Sequence, residues 1–250
     1  NSMTNCKNEK GFTLVELAIV MTIIGLLIGG ILKGQELMEN ARVTATIAQV
    51  KSYEAATTTF RDTFSAIPGD MGNANTRIPN CAVAACVASA GGGEVPDDSM
   101  VGQPAGLGAD QTANNTEPTL FWTHLLLADL IAGVSDTSIS AAPVVAPGES
   151  HPSAKIGGTF TIGHGGGTGT TVVGAVPQDQ PSGMILVLQN ALAALTATAG
   201  QQPLTPVRAG QIDRKMDDGK PNTGFVRAYG AVGGGGLNGC VDDATSTAGI

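Results

Sequence analysis

One carboxylate stands where carboxylates are rarely placed. Phe12 to Leu32 reads FTLVELAIVMTIIGLLIGGIL, 21 residues in which Glu16 is the lone charge. A carboxylate near the start of so apolar a helix costs about 2.5–3.5 kcal/mol if lipid surrounds it, so its chemistry calls for a cation or hydrogen-bond donors. Reaching towards the nearby interface explains why Glu16 is tolerated, but not why it is there. The dipeptide Gly11-Phe12 lies immediately ahead, preceded by Lys10.

Other groups with chemical potential are dispersed. The four cysteines are Cys6, Cys81, Cys86 and Cys240, and none forms a CxxC pair. The histidines, His124, His151 and His164, are far apart in sequence, so the close spacing of a zinc site is missing and no metal is expected. In an oxidising compartment one disulfide among Cys81, Cys86 and Cys240 is expected, the shortest closing a loop between Cys81 and Cys86. Asp213, Asp217 and Asp218 gather before Gly219. Carboxylate oxygens suit calcium, but the spacing is not that of an EF-hand, and a helix-ending turn is the simpler reading. No cofactor is expected, with calcium at this cluster as the alternative. Gly163-His164-Gly165-Gly166-Gly167-Thr168-Gly169 lacks the Gly-Lys-Ser/Thr ending of a phosphate loop and reads as a surface loop. No catalytic triad or carboxylate pair can be nominated, and no enzyme is expected.

Positioning Glu16 falls to the apolar run itself. At the helical rise it spans ~31 Å, about one bilayer hydrocarbon core. A secretory signal has a shorter apolar stretch and a small-residue cleavage site, and a core helix in a domain of this size is usually amphipathic. The run therefore reads as a membrane helix. Lys7 and Lys10 outweigh Glu9 in the flank before it, which keeps that flank cytoplasmic and sends everything after Leu32 outward. Gly25/Gly29 and Gly30/Gly34 have the spacing that lets helices approach closely, though glycine is also ordinary in membrane helices.

From Gln35 to about Phe64, Val43, Ile47, Val50, Tyr53, Thr57, Phe60 and Phe64 recur at intervals of three or four. Such spacing marks one helix face seeking cover. No proline occurs between Phe12 and Ile67, so a single helix of about 50 residues is expected, ending at Pro68-Gly69. Pro68 to Glu117 is rich in Gly, Ala and Asn and reads as loop. Thr119–Ile131 reads as a short helix in which Trp122 and His124 pack inward. Strands are expected at Ala154–Gly163, Thr171–Val176, Met184–Gln189 and Gly224–Tyr229. Thr205-Pro206 opens a further helix to about Met216. The fold class is α+β: a long N-terminal helix, half membrane and half amphipathic, packed on a loop-rich head with an antiparallel sheet.

Composition agrees. With 35 Gly, 14% charged and 4% aromatic residues, the chain has few large core anchors. A net charge of −8 and the lack of any Lys/Arg stripe argue against nucleic-acid partners.

Lys10-Gly11-Phe12-Thr13-Leu14-Val15-Glu16, followed by the apolar run, resembles the type IV prepilin cleavage and methylation motif. The resemblance covers about 55 N-terminal residues. It implies a leader over 1–11, a transmembrane and filament-core helix over 12–34, a spine over 35–67 and a pilin-like head over 68–250. It further implies cleavage after Gly11 by a prepilin peptidase, methylation of the new amine on Phe12, and a role for Glu16 in assembly. The implied protein is a subunit of a type IV pilus-like filament, either a pilin or a type II secretion pseudopilin. Its partners would be copies of itself or related pilins, the peptidase/methyltransferase, the inner-membrane assembly machinery and lipid. Its place would be the bacterial inner membrane, single-pass with the head outside the cytoplasm, and then a periplasmic or cell-surface filament. Tip pseudopilins typically lack the glutamate that Glu16 supplies. The segments Ile67-Pro68-Gly69-Asp70 and Ile212–Pro221 also resemble stretches of other prepilin-type proteins. A rival reading is a membrane-tethered periplasmic binding protein that uses the helix only as an anchor.

Overall fold

The structure is a computed structural model and describes residues 11–81, 86, 117–135, 146–165, 183–190, 192, 203–220 and 224–226. The chain divides into two compact units, Asn1–Arg42 and Val43–Ile250. Helix α1, Leu14–Phe64, is continuous over 51 residues, as the proline-free stretch predicts. Among the described residues it is the one helix long and apolar enough to cross a membrane. The class is α+β.

Among the described residues of the first unit the large apolar side chains are exposed. Leu14, Leu26 and Leu32 are 87%, 80% and 62% exposed. Salt bridges Lys33–Glu36 and Glu39–Arg42 follow at i,i+3 spacing just beyond.

In the second unit the amphipathic face of α1 is the spine of the core. Val43, Tyr53 and Phe60 are buried, as their periodicity predicts, while Ile47, Val50 and Phe64 are partly buried against the same cluster. Thr46 and Ala56 are also buried. α1 ends earlier than Pro68-Gly69 would dictate. Ser65 adopts φ 51° and its amide donates to the Arg61 carbonyl at 2.8 Å, a left-handed cap built without glycine. Pro68 and Gly69 instead occupy the turn that follows, where the Asp70 amide donates to Ile67 O at 3.2 Å and Gly69 takes φ 88°.

The segment after Pro68, expected as loop, contains a one-turn helix, α2, Ala74–Arg77, flanked by buried Met71 and Ile78. Helix α3, Glu117–Leu127, begins two residues earlier and ends four earlier than its sequence suggests. Its end is a Schellman motif: Leu130 N donates to Leu125 O at 3.0 Å and Asp129 N to Leu126 O at 2.9 Å, with Asp129 at φ 57°. Leu120, Phe121, Trp122 and Leu125 are fully or almost fully buried. Tyr53 meets Trp122 and Phe160 edge-on, with ring centroids 5.1 and 5.5 Å apart.

Strand β1, Thr159–Gly165, pairs antiparallel with β2, Gly183–Gln189, with Phe160 opposite Leu188 and Ile162 opposite Leu186. The strand expected over Ala154–Gly163 thus starts five residues late. Residues 154–158 form a turn in which the Ala154 amide donates to Gly158 O at 3.0 Å. At Gly158, φ is 81° and a Cβ would stand 2.7 Å from the Gln189 carbonyl oxygen, so only glycine fits. The strand expected at Thr171–Val176 lies outside the described residues. The one expected at Gly224–Tyr229 is not a strand over its described part, where 224–226 form a bend. Helix α4, Pro206–Met216, has the bounds its Thr205-Pro206 start predicts.

Candidate functional site

Residues 11–13 are not helical, and α1 begins at Leu14. Phe12 is 90% exposed, and Gly11 has open space around it. Glu16 turns back on the helix start. Its Oε2 accepts from the Thr13 amide at 2.9 Å and from Thr13 Oγ1 at 2.8 Å, while the Glu16 amide donates to Thr13 Oγ1 at 3.3 Å. This reciprocal pattern is a capping box, which satisfies amides that the first turn leaves without partners. Its sequence signature is Thr-x-x-Glu ahead of an apolar run, which makes Thr13 part of the site. The donors that Glu16 needs within its own chain are thus supplied one turn away. Gly25, Gly29, Gly30 and Gly34 face open space, each with no atom within 4 Å of where a Cβ would stand.

Three polar groupings and one groove in the head are candidates for chemistry. Cys81 and Cys86 are joined by a disulfide with Cα atoms 5.7 Å apart, and both are fully buried. Cys6 and Cys240 lie outside the described residues. The pair closes with His124 into a tight group of potential ligands, but the sulfurs are bonded to each other and hold no thiolate for a metal. His124 is fully buried on α3. Its Nδ1 accepts from the Gly69 amide at 2.9 Å, so Nε2 carries the proton and donates to the Cys86 carbonyl, also at 2.9 Å. Burial holds its pKa down at about 4, against a smaller opposing pull from the Cys86 carbonyl. The ring stacks on Phe60 at 6.2 Å. Trp122 and His124 pack inward, as expected; the bridge that His124 makes is a tertiary feature.

Ser150 and His151 form a second grouping, with Ser150 Oγ 2.8 Å from His151 Nδ1. Ser150 Oγ also accepts from the Ala146 amide at 3.1 Å. Both side chains are fully buried, so no substrate reaches the pair from solvent. Burial lowers His151 to about 4 as well. These contacts close the turn at 146–151.

The third grouping is Asp213, Asp217 and Asp218 at the end of α4, with one oxygen of each within 4.8 Å of the others. Asp217 Oδ2 receives the Phe225 and Val226 amides, and Asp218 Oδ1 the Lys220 amide at 2.9 Å. Asp213 is buried. Burial, then the charges of Asp218 and Asp217, push its carboxyl up, and the Gly219 amide works against the rise. The arrangement clamps the chain after α4 and brings 224–226 back to it.

A shallow groove of about 470 Å³ is lined by Gln49, Tyr53, Leu130, Ile131, Pro152 and Lys155, among others. Gln49 is committed to the fold: Oε1 accepts from the Lys155 amide at 2.9 Å and Nε2 donates to Ser153 O at 3.1 Å. Of Gly163–Gly169, residues 163–165 belong to β1 and the rest lie outside the described residues.

Comparison with known proteins isolates the N-terminal region. Residues 6–32 match the family model described as the prokaryotic N-terminal methylation motif, so the chain carries the type IV pilin/pseudopilin signature. No curated protein and no solved structure matches the chain.

Proposed function

We propose, from the premise that residues 6–32 carry the prokaryotic methylation motif, that this chain is the precursor of a structural subunit of a type IV pilus-like filament, either a pilin or a type II secretion pseudopilin. The carrying observation is where the motif falls. It covers the start of a 51-residue helix, over an apolar run whose side chains are exposed and whose one carboxylate is Glu16. A prepilin peptidase cuts after Gly11 on the cytoplasmic side, and the amine released on Phe12 is methylated. Glu16 of one subunit then meets the Phe12 ammonium of a neighbour. An ion pair in low dielectric is costly when half made, so it sets register more than it adds stability. The exposed apolar side chains supply the packing, first with lipid and then with other copies.

The basic flank of Lys7 and Lys10 supports a head outside the cytoplasm, where a Cys81–Cys86 disulfide persists. We assign no catalytic role. A mass measurement on the N-terminus of the full chain, recovered from cells with and without the peptidase, tests the reading. A chain that starts at methyl-Phe12 only when the peptidase is present is expected. An intact leader in both cases would instead point to a tethered binding protein that uses the helix as an anchor.

A further inference from the structure

We infer that the head closes in a fixed order: a protein disulfide donor joins Cys81 to Cys86 first, and His124 then fastens the joined loop to the turn that follows α1. The inference concerns the head alone and stands whether or not the chain enters a filament.

The first ground is access. Thiol–disulfide exchange passes through a mixed disulfide, which needs a thiolate to approach a sulfur of the donor. Cys81 and Cys86 are both 0% exposed, in the same buried cluster as Phe60, Trp122 and Leu125, with their sulfurs within 4.8 Å of a ring nitrogen of His124 on α3. No protein donor reaches either sulfur in the closed head, so the oxidation precedes the docking of α3.

The second ground is the chain of contacts that docking completes. The Cys81 amide donates to Ile78 O at 3.3 Å, and the Ile78 amide to Ala74 O at 2.9 Å, which anchors Cys81 at the end of α2. The disulfide carries that anchor to Cys86. The Cys86 carbonyl takes the His124 Nε2 proton, and His124 Nδ1 takes the Gly69 amide. One imidazole thus ties α3, the disulfide loop and the Pro68-Gly69 turn, all away from water. Its two bonds demand a carbonyl and an amide at fixed places on opposite sides of the ring, and the disulfide is what places the carbonyl.

The step balances with a donor of the protein disulfide class. One cysteine thiolate attacks the donor disulfide and expels a donor thiolate. The second cysteine then displaces the remaining donor sulfur. Two electrons and two protons leave Cys81 and Cys86, and the donor departs as a dithiol.

The test uses the full chain in detergent and dithiothreitol as the reductant, with maleimide capture of Cys81 and Cys86 read peptide by peptide. Reduction about a hundredfold slower in the native chain than in the same chain in denaturant is expected, the protection that buried, cooperatively opening regions show. Equal rates would overturn the inference. In a second arm, ¹⁵N-histidine spectra are recorded on chain refolded reduced and on chain refolded with oxidised glutathione. The Nε2-protonated His124 bonded to the Gly69 amide is expected in the oxidised chain alone. Its presence in the reduced chain would show that His124 locks without the disulfide, and the order would be wrong.

Discussion

The two units of this chain use the same residue types to opposite ends. Leu, Ile, Val and Phe before residue 39 are exposed, with Phe12 and Leu14 near 90%, while Phe60, Phe121 and Leu125 lie at 1% exposure or less. The difference teaches that the chemistry of the first unit is written locally, with its apolar surface left exposed. That of the second is written at long range and completed within the chain. In the first, a carboxylate is satisfied by a residue three positions away. In the second, an imidazole joins residues 55 and 38 positions away.

The sharpest way to break this contrast is at Glu16. Glu16→Ala is expected to abolish filament assembly while leaving insertion, cleavage after Gly11 and head stability unchanged. Electron microscopy of sheared filaments, with N-terminal mass spectrometry alongside, reads both. Normal filaments would remove the contrast.

Next in size is acid. His124 and His151 are held near 4 by burial, against about 6.5 when the chain unfolds. The unfolded chain therefore binds protons that the folded head refuses. The stability they confer is full above pH 6.5 and is lost as pH falls from there to about 4. At roughly 1.4 kcal/mol per pH unit the loss is on the order of 3 kcal/mol for each ring. Urea unfolding of the full chain in detergent at pH 7.5, 5.5 and 4 checks it. A head equally stable at all three would sink the reading of both imidazoles.

Trp122→Ala tests the core side alone. Truncating so large a buried ring costs about 3–5 kcal/mol, and the same urea titration should record it while membrane insertion stays unchanged. The smallest effect is expected at the end of α4. Asp213→Asn removes a carboxyl that burial and two neighbouring aspartates push up. Ionised Asp213 opposes folding at neutral pH, so the variant should unfold at a slightly higher temperature there, with the difference vanishing in acid. Calcium should leave the unfolding temperature of the wild-type chain unmoved. A rise that Asp213→Asn abolishes would make the cluster a cation site.

Much of the architecture was readable residue by residue where it depended on neighbours in sequence. The apolar run and the spine face through Val43, Tyr53 and Phe60 follow from spacing, and the start of α4 follows from Pro206 in its first turn, although Thr205 makes no side-chain cap hydrogen bond. The ends of α1 and α3 did not follow, because Ser65 and Asp129 take the left-handed conformation usually left to glycine. The stretch Ala154–Gly163 reads as one strand, yet its first five residues form a turn. Only the approach of Gly158 to the Gln189 carbonyl shows that a turn is required there. Thr46 and Gln49 bond the 153–156 backbone, a pairing across more than 100 residues that helix spacing does not record.

The sequence by itself determined the membrane-length helix, the cleavage and methylation motif and the anomaly of Glu16, because each rests on residues within a few turns of one another. Tertiary structure alone decided which cysteine Cys81 joins, which tautomer His124 adopts and where the Asp213 cluster spends its oxygens. The His124 tautomer depends on groups 55 and 38 positions away, and the disulfide and the Asp217 and Asp218 contacts depend on turns that only the folded chain closes. A linear pattern records the residues involved, not the space they come to share.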